Sequence, residues 1–170
     1  MRVSENFTVQ QVIVMLSITI VIVIVTLFSL DPLVQLRSAR NQLRFAGLQT
    51  LGSALRTYEE ENGSLPAMID AMRDTVQIIG EGRGATFEEC AAVECRGERV
   101  TPFGCLTPGL TASLQPFLGA LPKDPIRGSS LNARYFINTS DHGAIILGAC
   151  DEESEDLEGS ALPPRIQVAW

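Results

Sequence analysis

The stretch VIVMLSITIVIVIVTLFSL, residues 12–30, decides how the chain is read: nineteen residues pass without a charge and lead straight into a helical pattern. As a helix rising about 1.5 Å per residue, it covers roughly 28 Å, close to the ~30 Å hydrocarbon core of a bilayer. Its β-branched content favours strands in water, but a lone strand in lipid leaves its N–H and C=O groups unpaired, so the bilayer imposes the helix. Residues 12–30 are therefore expected to cross a membrane once, behind a short leader-like segment at 1–11. Residues 1–6 lack the long basic region of a removable secretory signal, and no small-residue cleavage site follows the apolar run. The span is expected to remain in the mature protein.

Working outward, Ser29-Leu30-Asp31-Pro32 reads as a helix restart, with Asp31 as cap, Pro32 at the first helical position and a kink or brief break between. From there Leu33, Leu36, Leu43, Gly47, Leu48, Leu51, Ala54, Leu55 and Tyr58 lie three, four and seven apart, one stripe along an amphipathic helix over 31–61. Arg37, Arg40, Arg44, Gln49, Arg56 and Glu60 mostly take the other side. Asn62-Gly63 supplies a left-handed stop and Pro66 reinforces it. Span and stripe together predict about 75 Å of helix if continuous.

Beyond it, residues 62–150 read as one globular domain. Met68, Ile69, Met72, Val76 and Ile79 keep helical spacing and predict a second helix over 67–79, ended by Gly80. Thr86-Phe87-Glu88-Glu89 has the form of a capping box opening a short helix towards Cys95. Residues 110–118 suit a helical turn or two. ARYFIN at 133–138 and AIILGAC at 144–150, separated by a turn-rich TSDHG, predict an antiparallel hairpin. An acidic tail at 151–170 follows, with a final strand over 165–170. The fold class expected is α+β, a long N-terminal helix packed on a small antiparallel sheet.

Charge narrows the function. Residues 62–170 hold 8 Lys and Arg against 15 Asp and Glu, the whole of the net −7, while residues 1–61 hold five of each. An acidic body argues against nucleic acid as main partner, since phosphate binding needs clustered cations. Cys90, Cys95, Cys105 and Cys150 all follow the span; an even number in a small domain favours two disulfides in an oxidising compartment, with three pairings open. The spacings C-x4-C and C-x9-C and a single distant His142 do not make a zinc site. Arg37, Arg40 and Arg44 after the span would by themselves place the body in the cytoplasm, against the cysteines.

Catalytic signatures are missing from the sequence: there is no G-x-S-x-G, no phosphate-binding glycine loop and no H-E-x-x-H. GEGRG at 80–84 follows a predicted helix instead of a strand and contains an acid. No catalytic or cofactor-binding residue is assigned, and His142 reads as an exposed turn residue. Six carboxylates lie within 151–158, beginning at Asp151, a density that suits either a calcium ion or a solvated face. The run lacks the internal glycine and alternating spacing of an EF-hand loop. Gln10 and Gln11, amides at the mouth of an apolar helix, suit a neighbouring chain better than lipid.

Phe7-Thr8 before the span, Ser38-Ala39-Arg40 on the helix running to Tyr58, Asn62-Gly63-Ser64-Leu65-Pro66, and Leu121-Pro122-Lys123-Asp124-Pro125 ahead of the hairpin occur in a distinctive order. In this the chain resembles the type IV pilins and pseudopilins, especially the small G-type pseudopilins, over residues 7–66 and 114–150. The resemblance implies a pilin-like fold, a cytoplasmic amino terminus with the body outside the inner membrane, and no enzymatic activity. It also implies assembly with copies of itself or related pilins, on a platform protein and after a prepilin peptidase. Residues 67–113, with three of the four cysteines, lie outside it. The family's processing signal has glycine before the cleaved bond and glutamate at the fifth mature position. With Phe7 as the first mature residue, Asn6 and Gln11 stand there instead, so the expectation is a minor or divergent subunit, with processing before Phe7 left open. From another class, the alternative is a membrane-anchored extracytoplasmic binding domain that never polymerises.

Overall fold

A computed structural model of the chain describes residues 8–29, 32–69, 72–84, 86–140, 142–154 and 167–169. It forms two compact units, Met1–Leu36 and Arg37–Trp170. Helix α1 covers Val9–Ser29 and α2 covers Pro32–Asn62. The expected restart at Pro32 is therefore observed; Asp31, its expected cap, lies outside the described residues. At the far end Gly63 adopts φ 73° and donates its N–H to the Glu59 carbonyl at 2.8 Å, the left-handed stop read from Asn62-Gly63.

Four short strands form one antiparallel sheet in chain order: β1 Gln77–Ile78, β2 Tyr135–Thr139, β3 Ile145–Ala149 and β4 Gln167–Ala169. The expected hairpin is β2–β3, with Ile137 opposite Leu147, and β4 adds beyond it with Val168 opposite Leu147. Because side chains alternate along a strand, the sheet buries both faces. Tyr135, Ile137, Ile145, Leu147 and Ala149 meet Leu48, Leu51, Ala54 and Leu55 of α2. Leu110 and Leu114 of the short helix α4, Leu110–Leu114, close that core. Phe136 turns to the other face and packs with Val76, Ile78, Leu106 and all four cysteines. The class is α+β, a helix on a small antiparallel sheet.

The two disulfides brace the second core. Cys90 pairs with Cys105 and Cys95 with Cys150, one of the three pairings left open above. Cys90 lies on helix α3, Phe87–Ala91, which opens on the expected capping box: Thr86 Oγ1 accepts the Glu89 N–H, and the Glu89 carboxylate accepts the Thr86 N–H. It ends earlier than expected, before Cys95.

Two expectations fail. Residues 67–79 hold no helix where described: a turn follows Pro66, residues 73–75 are bends, and Val76 to Ile78 form a bridge and β1. There the backbone is held on two sides, with Val76 N–H on the Arg99 carbonyl and Ile78 N–H on Cys105 to one side, and Ile79 N–H on Tyr135 to the other. Val76, Ile78 and Ile79 satisfy a helical count, but they are β-branched and their backbone is claimed by strand partners from distant sequence. Met72, placed on the helical stripe, is exposed. The stripe on α2 fails at its start: Leu33, Leu36 and Leu43 are exposed, and core contact begins at Leu48. In its place Asn41 and Arg44 are buried. The Gly80–Gly84 run also finds its reason in packing, since a Cβ at Gly80 would collide with the Leu131 carbonyl.

Candidate functional site

On α1 the side chains of Gln11, Ser17, Thr19 and Thr26 turn back on the local backbone. Gln11 Oε1 accepts the Thr8 N–H at 2.9 Å and Thr8 Oγ1 accepts the Gln11 N–H at 3.4 Å, a reciprocal cap written as T-x-x-Q. The hydroxyls of Ser17, Thr19 and Thr26 donate to the carbonyls of Ile13, Met15 and Ile22 at 2.9, 2.9 and 3.0 Å. The large apolar side chains from Val9 to Val25 are 48–77% exposed. The stretch Val9–Thr26, mean hydropathy 2.5, has none of its residues buried and is long and apolar enough to cross a membrane; a signal sequence meets the same measure. So large a contiguous apolar surface does not stay in water.

In the second unit the basic half of α2 holds the chain that leaves β3. Arg44, 1% exposed, donates from Nε to Asp124 Oδ2 at 2.6 Å and from Nη1 to Glu153 Oε2 at 3.0 Å. Asp124, the acid of LPKDP, receives the Ile126 and Arg127 N–H groups on its other oxygen at 2.8 Å each. Burial works against both charges, but their mutual hydrogen bonds and the two N–H donors outweigh it. Arg44 is held above its ordinary pKa and the Asp124 carboxyl below the usual carboxylate range. Tyr135 lies under the same pair, pushed up to about 12 by burial and then by the Asp124 charge. Gly47 leaves room for it: a Cβ there would stand 3.0 Å from the Tyr135 hydroxyl.

Residues 151–154 run as a strap across this region. Asn41 holds Glu153 by its backbone, receiving the N–H on Oδ1 at 3.2 Å and donating to the C=O at 2.8 Å. Arg40 adds an ion pair to Glu153 at 3.0 Å, Arg37 reaches the Ser154 carbonyl, and Arg96 reaches the Glu152 carbonyl. Asp151 is gripped by both arms of Arg134, Nε at 2.5 Å and Nη2 at 2.7 Å. Arg134 itself sits at φ 62°, a left-handed conformation rare outside glycine, held by that pair and by its N–H on Asn132 Oδ1. Two abutting grooves flank the strap, of about 600 and 390 Å³, and Arg96, Arg127 and Asp151 line both.

Of the residues singled out in the sequence, Gln11 caps α1, while Asn6 and Phe7 lie outside the described residues. The cysteines are paired, and His142 is exposed in the hairpin turn. The acidic run is not a solvated face at its start, because Asp151 and Glu153 are matched by arginines and Glu152 is buried. Residues 155–158, the rest of the calcium reading, lie outside the described residues; among those described, no cluster of His, Cys, Asp or Glu is placed to hold a metal ion. The Arg44–Asp124–Glu153 network was missed. Its signal was present, for Arg44 precedes Leu48, Leu51 and Leu55 at core spacing on α2. Compared with protein-family models, curated proteins and solved structures, the chain matches none.

Proposed function

We propose that the chain is a structural subunit of a type IV pilus or type II secretion pseudopilus, anchored in the membrane by α1 and assembled by helix–helix packing. The observation that carries this is α1 itself: 21 residues, capped by Thr8 and Gln11, with the Ser17, Thr19 and Thr26 hydroxyls on its own backbone and its large apolar side chains from Val9 to Val25 exposed. Such a rod has two dry surroundings, lipid before assembly and the rods of identical neighbours afterwards. Three further features support the reading. The disulfides suit an oxidising compartment outside the inner membrane. The LPKDP loop contributes the carboxylate that seats α2. Gln11, standing where the family has glutamate, serves its own helix end.

The test is association of the full chain in detergent micelles, read by chemical cross-linking, for wild type and Val23→Asp. Val23 faces outward from α1. Wild type is expected to give a ladder of multimers and Val23→Asp none. A monomeric wild type with an intact body would instead favour the non-polymerising anchored domain.

A further inference from the structure

The strap at 151–154 stands on two footings. Its start is fixed to the body: Cys150 is tied to Cys95 and donates its N–H to the Arg134 carbonyl at 2.9 Å, Asp151 is gripped by Arg134, and Arg96 donates to the Glu152 carbonyl. Glu153 is fixed to α2 instead. Among the described residues its N–H and C=O both bond Asn41, one carboxylate oxygen accepts from Arg40 and the other from Arg44. The division falls between Glu152 and Glu153.

On the helix side the attachment is polar. From Arg37 to Gly47 the buried residues of α2 are Asn41 and Arg44, while Leu43 and Phe45 are exposed and the apolar core starts at Leu48. Two acids hold this half of the helix, and they differ in their access to water. The Asp124 and Arg44 side chains are 0% and 1% exposed, those of Glu153 and Arg40 23% and 31%. Withdrawing Glu153 leaves Arg44 and Asp124 as a neutral buried pair, and it passes Glu153 and Arg40 into water, where each is solvated. Neither Glu153 nor Ser154 carries an apolar side chain out of a core.

We infer that Glu153 is a salt-sensitive catch: the strap opens there from a body that stays folded, uncovering Arg40 and Asn41 on α2, while Cys150 to Glu152 and the Arg44–Asp124 pair remain closed. The catch lies within the second unit and does not depend on self-assembly. Dissolved ions screen the half-exposed Glu153 pairs far more than the dry Arg44–Asp124 pair, so ionic strength sets how often the catch is open.

The test is native-state amide exchange of the full chain in detergent micelles, read by NMR. The Glu153 N–H, on Asn41 Oδ1, reports the catch; the Cys150 N–H reports the fixed end of the strap, and the Ile79 N–H, on the Tyr135 carbonyl, the body. In wild type at low salt, protection of the Glu153 N–H is expected to be at least about a hundredfold below that of Ile79, and to fall further as sodium chloride rises while the other two hold. Glu153→Gln keeps the amide and removes the charge, and is expected to lower that protection about tenfold more. Arg40→Gln lowers it less, and the double variant no further than Glu153→Gln alone. Protection of Glu153 equal to that of Ile79, no response to salt, or additive effects of the two substitutions overturn the catch. Losses shared by Cys150 and Ile79 mean that the body opens as a whole, which also overturns it.

Discussion

Arg44 and Asp124 show how a single side chain can reverse a pattern. Four residues before Leu48, Arg44 occupies a core position, and its guanidinium survives burial because Asp124 and Glu153 surround it. Removing one partner of a buried pair leaves the other charged and dry, so Asp124→Asn is expected to cost about 3–5 kcal/mol at neutral pH. The folded Asp124 carboxyl lies below the ordinary value of about 3.9. Its contribution is therefore fully present above that unfolded value and is lost as pH falls through the folded one. Urea denaturation across a pH series should show the gap between wild type and Asp124→Asn closing below about pH 4. A gap that stays constant into acid would mean that the ion pair is not what holds the fold here.

At the scale of elements, α1 and β1 show opposite outcomes of local preference. α1 is rich in residues that favour strands, yet it is helical, with its N-terminus closed by Thr8 and Gln11. Gln11→Ala removes the side-chain half of that cap and is expected to destabilise the helix end by about 1 kcal/mol. Faster amide exchange confined to residues 9–12 in micelles is the readout; fraying spread along α1 would point to a different cause. The stretch around β1 has helical spacing and is strand-paired, because carbonyls of Arg99, Cys105 and Tyr135 accept the N–H groups of Val76, Ile78 and Ile79. No count within 67–79 contains those partners.

Across the whole molecule, the second core is held by covalent ties as well as by apolar packing. The Cys95–Cys150 bridge closes a 55-residue separation and the Cys90–Cys105 bridge one of 15. By loop entropy the first contributes about 4 kcal/mol and the second about 3 kcal/mol. Cys95→Ser with Cys150→Ser should therefore lower stability more than Cys90→Ser with Cys105→Ser, measured by denaturant midpoint. It should also loosen the strap at 151–154, which begins one residue beyond Cys150. The reverse order would show that strap and arginines hold the molecule without the longer bridge.

The sequence by itself determined the apolar α1, the start of α2 at Pro32 and its stop at Asn62-Gly63, the capping box at Thr86, the β2–β3 hairpin, a final strand and the α+β class. Each follows from residues adjacent in the chain, where capping, turn chemistry and periodicity act. Only the tertiary structure decided the disulfide pairing, the strand pairing of 76–78, the burial of Arg44 and the folding of Asp151 to Glu153 onto arginines. Those depend on groups 15 to 113 residues apart meeting in space. Whether a charge is buried or solvated is set by the partner that reaches it, and local spacing does not contain that partner.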